Sequence, residues 1–274
     1  MRRDDSVAFA APMRGAWLKC TGNFIQPPYI PLTSAAPCGV DKETTMLDIQ
    51  RYDQLGSMQL DWLNAHYHFS FANYHNPARM GLGPLRVIND DIVKAGGGFA
   101  PHPHRDMEII TYVREGAITH EDSLGNRGKT AAGDIQVMSA GSGITHSEWN
   151  EEAVDTHLYQ IWIHSRNKGT KPRWEAKQFP KVEGALHLLA SGDETDKEKG
   201  ALWIDSDGAI YGGVLKAGQV WTQPLRSAAY LLVSTGEVTI NGETLKKGDG
   251  AAITDQAMLE VAASAASELV LIDL

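Results

Sequence analysis

Two short segments carry the residues that could do chemistry. The first runs Gly98-Phe99-Ala100-Pro101-His102-Pro103-His104-Arg105-Asp106-Met107-Glu108, and the second Gly141-Ser142-Gly143-Ile144-Thr145-His146-Ser147-Glu148-Trp149-Asn150. His102 and His104 stand two apart, as do His146 and Glu148. In an extended chain, residues two apart project from the same face. Two such strands brought together would converge three imidazoles and one carboxylate on one point. That donor set suits a borderline divalent metal such as iron, copper, nickel or zinc. One His-x-His pair alone is a weak signal, and His66 and His68 form another with no matching partner pair. Two ligand pairs bordered by glycine-rich turns are much harder to attribute to chance.

Those segments need strands to hold them. Met107–Val113 is rich in β-branched residues, Gly116 turns the chain into Ala117–His120, and Glu121–Asn126 reads as a hairpin tip. Gly133-Asp134 turns again before Ile135–Met138, and His157–Ile163 is a further strand. Upstream, the aromatic-rich stretch Asp61–Tyr74 reads as strand, Pro84–Ile88 as a short strand, and Asn89-Asp90-Asp91 as a turn. Short strands at regular spacing, divided by Gly and Asp turns, predict an all-β sandwich or barrel.

A polar, proline-marked connection over 166–183 separates a metal-binding half, 46–165, from a second half, 184–274, with strands of its own. The halves share a degenerate repeat: Gly116-Ala117-Ile118-Thr119 … Gly133-Asp134 is echoed by Gly236-Glu237-Val238-Thr239 … Gly248-Asp249. Aligning the two glycines sets Thr222 and Pro224 where His102 and His104 stand, so the second half lacks the ligands. Residues 1–45 lack sustained periodicity and read as a disordered leader, or as an extension upstream of a start at Met46.

The totals narrow the function. The 274 residues, 42% hydrophobic and 22% charged, suit a globular protein with real cores. A formal charge of −9 gives no bulk attraction to nucleic acid, which favours a small molecule or a protein as partner. No apolar run reaches the roughly 18 residues of a membrane span. The two cysteines, Cys20 and Cys38, both precede Met46, and a cysteine-free body fits the cytoplasm.

The motifs His102-Pro103-His104-Arg105-Asp106-Met107-Glu108, Asp122-Ser123-Leu124-Gly125-Asn126 and Met138–Glu148 resemble the pirin family of bicupins. They closely resemble the bacterial pirin-like proteins described as quercetin dioxygenases. Phe69–Tyr74 and Leu85–Asp91 share the likeness, which runs from about Met46 to the C-terminus. The resemblance implies two stacked antiparallel β-barrels of the jelly-roll type with few short helices, and one mononuclear metal in the first. Carried over position by position, the ligands are His102, His104, His146 and Glu148. The metal expected first is iron, with copper, nickel, zinc or manganese as alternatives. General cupins often place the carboxylate a few residues after the second histidine, where Glu108 stands. Glu108 keeps the strand parity of His102 and His104, so it is expected to orient an imidazole or simply to line the interior.

The implied activity is an enzyme's: opening the heterocyclic ring of a flavonol such as quercetin with O₂ and releasing carbon monoxide. Glu148 would serve as the base that takes the flavonol hydroxyl proton, and Phe71, Tyr74 and Trp149 could sandwich a planar substrate or simply pack the core. The competing expectation is a metal- or redox-sensing protein without turnover that modulates a protein partner, for example in transcription. Oxygen consumed in proportion to substrate separates the two.

Overall fold

The computed structural model describes residues 46–180 and 182–274, so the expected leader over 1–45 lies outside the described residues. Almost all regular structure is β. The chain opens with β1 (Met46–Gln50), β2 (Gly56–Gln59), β3 (Leu63–Tyr67) and β4 (Leu85–Val93). Next come β5 (Gly98–His104), β6 (Met107–Glu115), β7 (Ala117–Asp122) and β8 (Arg127–Ala131). The first half closes with β9 (Ile135–Ser139), β10 (Ile144–Trp149), β11 (Thr156–His164) and β12 (Arg173–Lys177). The second half holds β13 (Ala185–Ser191), β14 (Leu202–Trp203), β15 (Ala209–Leu215), β16 (Val220–Pro224) and β17 (Ala228–Val233). It ends with β18 (Glu237–Ile240), β19 (Glu243–Lys246), β20 (Gly250–Thr254), β21 (Met258–Ala263) and β22 (Ser267–Asp273). The helices among the described residues are two 3₁₀ turns, Tyr52–Gln54 and Glu194–Lys197.

The strands form four sheets, two of seven strands and two of four. A large sheet, β12-β9-β6-β11-β4-β3-β2, faces a small one, β5-β10-β7-β8, across a core that includes Tyr67, Val113, Ile118 and Leu158. In the second half, β1-β20-β17-β22-β15-β13-β14 faces β16-β21-β18-β19 across Leu231, Val238, Val261 and Leu271. The two large sheets then pack back to back: Ile110, Tyr112, Val137 and Ile161 of one meet Leu189, Ile210, Tyr230 and Val270 of the other. Period-2 alternation makes this four-layer stack possible, because each strand of a large sheet has one face for its own small sheet and one for its twin. The strand β6 shows the division: Met107, Ile109 and Val113 belong to clusters on the small-sheet side, Ile110 and Tyr112 to the joint between halves.

Both boundaries of the sequence reading are crossed. Within 46–165, β1 pairs with β20 and so joins the second half. Within the expected linker 166–183, β12 pairs with β9 along Arg173–Lys177 and extends the first half's large sheet. The first half thereby lends the second an edge strand, and the linker lends one to the first. The repeat itself is plain in the matching orders β5-β10-β7-β8 and β16-β21-β18-β19. The alignment through the glycines slips by one residue, however. Thr222 and Pro224 are exposed, while Trp221 and Gln223 are only partly so, and Trp221 packs against the second half's core. One residue of slip exchanges the two faces of a strand.

Asn89-Asp90-Asp91, read as a turn, is the middle of the nine-residue strand β4. These residues are poor strand formers, but all three are buried and neighbours on β3 and β11 pair with each of them. Conversely, the strand expected over 61–74 ends at Tyr67, and the chain then turns, with Phe71 and Tyr74 joined in an isolated bridge.

Candidate metal centre

The strand β5 is the outer strand of its sheet, which is why it tolerates two prolines. Pro101 and Pro103 are exposed while Ala100, His102 and His104 turn inward. The strand β10 lies alongside, with His146 directly opposite His102 and Ile144 opposite His104. Register therefore delivers His146 to the same face as the β5 pair. Their ring centroids stand 4.5 Å apart for His102 and His146, 4.8 Å for His102 and His104, and 5.0 Å for His104 and His146. A donor atom from each of the three lies within 4.8 Å of the others.

The protonation pattern leaves lone pairs aimed at the centre. His102 Nδ1 is 2.7 Å from the Ala100 carbonyl. A carbonyl only accepts, so Nδ1 carries the proton and Nε2 is free. His104 Nε2 and His146 Nε2 are buried without a hydrogen-bond partner. Burial, reinforced by the neighbouring imidazoles, pushes His104 and His146 well below the usual histidine range, so both are neutral and able to ligate. Buried polar atoms of this kind are uncommon in folded proteins, and two of them converging beside His102 suit a cation.

Glu148 lines the same cavity as the three histidines but is held from behind. Its Oε1 accepts from Thr111 Oγ1 at 3.0 Å and Gln136 Nε2 at 2.6 Å, and its Oε2 accepts a close bond from Gln160 Nε2. Burial still raises its carboxyl above the usual range, against the nearby His120 and those three donors. Glu148 shares a second group of potential ligands with His146 and His120, rather than joining the group of three imidazoles.

His120 was not singled out from the sequence. It is fully buried on β7, where Glu148 pairs with it. Its Nε2 sits 3.0 Å from Asp122 Oδ2 and its Nδ1 3.4 Å from His146 Nδ1. Despite desolvation, bonds from His120, Asn126 and Leu124 hold the Asp122 carboxyl below the usual range, so it is the acceptor and His120 Nε2 the donor. With its Nε2 donating to Asp122, His120 accepts at Nδ1 from His146 Nδ1–H, which fixes the tautomer that leaves His146 Nε2 for a ligand. The ring of Trp174, from β12, stacks on His120 at 4.8 Å and 5°. Opposite His120, Gly128 makes room for that indole: a Cβ there would come within 2.3 Å of it. The signal was present as His120-x-Asp122, the spacing used for the other pairs, but it lies outside the two glycine-bounded segments.

Glu108 is turned away from this centre. Asp106, with φ of 50°, breaks the alternation between β5 and β6, so parity cannot be carried across it. Glu108 instead accepts from Ser139 Oγ at 2.6 Å, Ser165 Oγ at 2.9 Å and the backbone of Asp205 in the second half. Its environment is the joint between halves and it orients no imidazole. His66 and His68 also part company, His66 meeting Tyr52 and His68 meeting Tyr230 across that joint. Of the aromatic candidates, Phe71 lines the cavity, together with Phe99 and Trp162, which the sequence reading passed over. Tyr74 packs against the first half's core, and Trp149 is not among the cavity's lining residues.

All-β halves in tandem, with clustered imidazoles in the first, define a two-domain cupin. Residues 49–163 match the family model described as Pirin, and residues 188–274 match the Quercetinase C-terminal cupin domain. A pirin-like protein of Caulobacter vibrioides is 49% identical over 232 residues, covering 83% of this chain and 99% of that one. The Escherichia coli K12 protein named quercetin 2,3-dioxygenase is 41% identical over 232 residues, covering 84% and 99%. Among solved structures, bacterial pirin YhhW of E. coli in complex with nickel(II) superposes with a TM-score of 0.79 at 40% identity, covering 84% and 99%. The chain belongs to the pirin family.

Proposed function

We propose that the protein is a metal-dependent dioxygenase that opens the heterocyclic ring of a flavonol such as quercetin with O₂ and releases carbon monoxide. The observation that carries the reading is the convergence of His102, His104 and His146, with unpartnered buried nitrogens of His104 and His146, beside a carboxylate held in place by three donors. On this reading His102, His104, His146 and Glu148 hold one divalent metal, iron first among the alternatives, inside the first of two cupin barrels. When bound, the metal would act as a Lewis acid that lowers the pKa of a coordinated hydroxyl and brings it together with O₂. The names of the relatives support the substrate class, and the nickel(II) complex of YhhW supports metal binding by this fold.

The protein's own groups have distinct tasks. His102, oriented by Ala100, and His146, oriented through His120 and Asp122, present Nε2 with the lone pair outward. Glu148, shifting off the metal, would take the hydroxyl proton of the flavonol at Oε2, the oxygen with a single donor, and its raised pKa suits a base that must later return a proton. Phe71, Phe99 and Trp162 keep the approach dry. The cavity itself, about 30 Å³, has room for a ligand the size of a water or two, so the reacting edge of a flavonol enters while its rings rest at the mouth. On this reading the enzyme works in the cytoplasm on a small molecule, without nucleic acid.

The test is simultaneous recording of O₂ uptake, flavonol loss and carbon monoxide release by protein of known metal content, beside His102→Ala. Matched stoichiometry that vanishes with His102 supports the dioxygenase. Full metal content without turnover above the variant overturns it in favour of a sensor.

A further inference from the structure

The cavity has a wall opposite the imidazoles that metal binding does not use. Register aligns Tyr67, Asn89, Gln160, Thr111 and Gln136 in one row across β3, β4, β11, β6 and β9. Residues paired across a sheet share a face, so this polar row lies under the metal centre. One end of it is spoken for, since Thr111, Gln136 and the amide nitrogen of Gln160 all hold Glu148. The other end is not. Gln160 Oε1, Asn89 Oδ1 and Asp91 Oδ1 are buried with no hydrogen-bond partner, and all three residues line the cavity with His102, His104 and His146.

These oxygens require donors. The side chains are only 6%, 5% and 1% exposed, so bulk water does not serve them. Gln160 cannot turn its amide over, because its nitrogen faces the Glu148 carboxylate and the oxygen would be repelled there. Asp90, between the other two but on the opposite face, shows what an ordinary buried carboxylate does here: it is paired with Arg114. Asn89 and Asp91 have no such partner and point into the site. A run of polar residues in mid-strand, satisfied on one face and unsatisfied on the other, marks a surface built for a ligand rather than for the fold.

We infer that Asn89, Asp91 and Gln160 form an acceptor wall that selects aromatic substrates carrying a further hydroxyl donor on the chelating edge, the part of the molecule that enters the cavity. This inference rests on the flavonol reading for the scaffold of the substrate, and it adds the requirement for that further hydroxyl.

The experiment is an anaerobic absorbance titration of the nickel-loaded protein with quercetin and with 3-hydroxyflavone. Both offer the same 3-hydroxyl and 4-carbonyl, and only quercetin has further hydroxyls. The wild-type protein is expected to prefer quercetin by about tenfold, the worth of one well-made hydrogen bond. Asn89→Leu and Asp91→Leu are expected to bring the two affinities within about twofold while leaving 3-hydroxyflavone binding nearly unchanged. Neither variant should lose thermal stability, because each removes an unsatisfied buried group. Equal wild-type affinities overturn the wall and leave the metal reading standing, and this arm needs no variant to fold. Variants that keep the quercetin preference also overturn it. If neither flavonol binds, the flavonol reading fails and takes the wall with it.

Discussion

Gln136→Leu tests whether the cradle behind Glu148 governs metal binding. Gln136 Nε2 donates to Glu148 Oε1 at 2.6 Å and to Thr111 Oγ1 at 3.2 Å, while its Oε1 accepts from Thr130 at 2.9 Å. Leucine has nearly the same volume and removes the donor without opening a cavity. A hydrogen bond to a buried carboxylate is worth about 1.5–3 kcal/mol, and Glu148 is buried, so screening does not erode it. Burial already raises the Glu148 carboxyl, and loss of a donor raises it further. The metal requires the ionised form, so affinity should fall roughly 10- to 100-fold, and by more at pH 6 than at pH 8. Nickel(II) competition against a chromophoric chelator at the two pH values reads both effects. Equal affinities for variant and wild type at both pH values would refute the reasoning.

Three further outcomes follow from the same geometry. Glu148→Gln, in preparations that retain metal, should abolish most turnover; activity equal to wild type would remove Glu148 as the base. His120→Phe keeps the stack on Trp174 but cuts the link from Asp122 to His146, and should weaken nickel binding roughly 10-fold or more by the same competition assay. His68, fully buried and pushed down to about 3 chiefly by desolvation, stays neutral in the fold while the unfolded chain protonates below the usual histidine value. The unfolded state then binds more protons, so metal-free protein loses stability as pH falls from about 6.5 towards 3, by roughly 1.4 kcal/mol per unit from this residue. The raised carboxyls of Asp91 and Glu148 act in the opposite sense in the acid part of that window. His68→Gln should flatten the slope of unfolding free energy against pH, measured by chemical denaturation at several pH values, by the His68 share, and an unchanged slope would count against it.

What the sequence disclosed, it disclosed through period 2. His102, His104 and His146 were legible because alternation and strand pairing are local rules, and the register His146 opposite His102 obeys them. The same rule failed for Glu108, where Asp106 adopts a left-handed conformation that no composition signal announces. It failed again at Thr222 and Pro224, where a repeat aligned on a glycine slipped by one residue. Asn89-Asp90-Asp91 misled for a different reason. Its residue types favour turns, and only the Arg114 pair on one face and the cavity on the other explain their place in mid-strand. His120 was hidden because its partners, Asp122, His146 and Trp174, are assembled from three strands, one of them in the expected linker.

The central claim concerns one ion at one place, and anomalous diffraction from metal-loaded crystals addresses it most directly. The account predicts a single peak within bonding distance of His102 Nε2, His104 Nε2 and His146 Nε2, with Glu148 completing the set. A peak bound instead by His120, or no peak in the first half at full metal content, would contradict it.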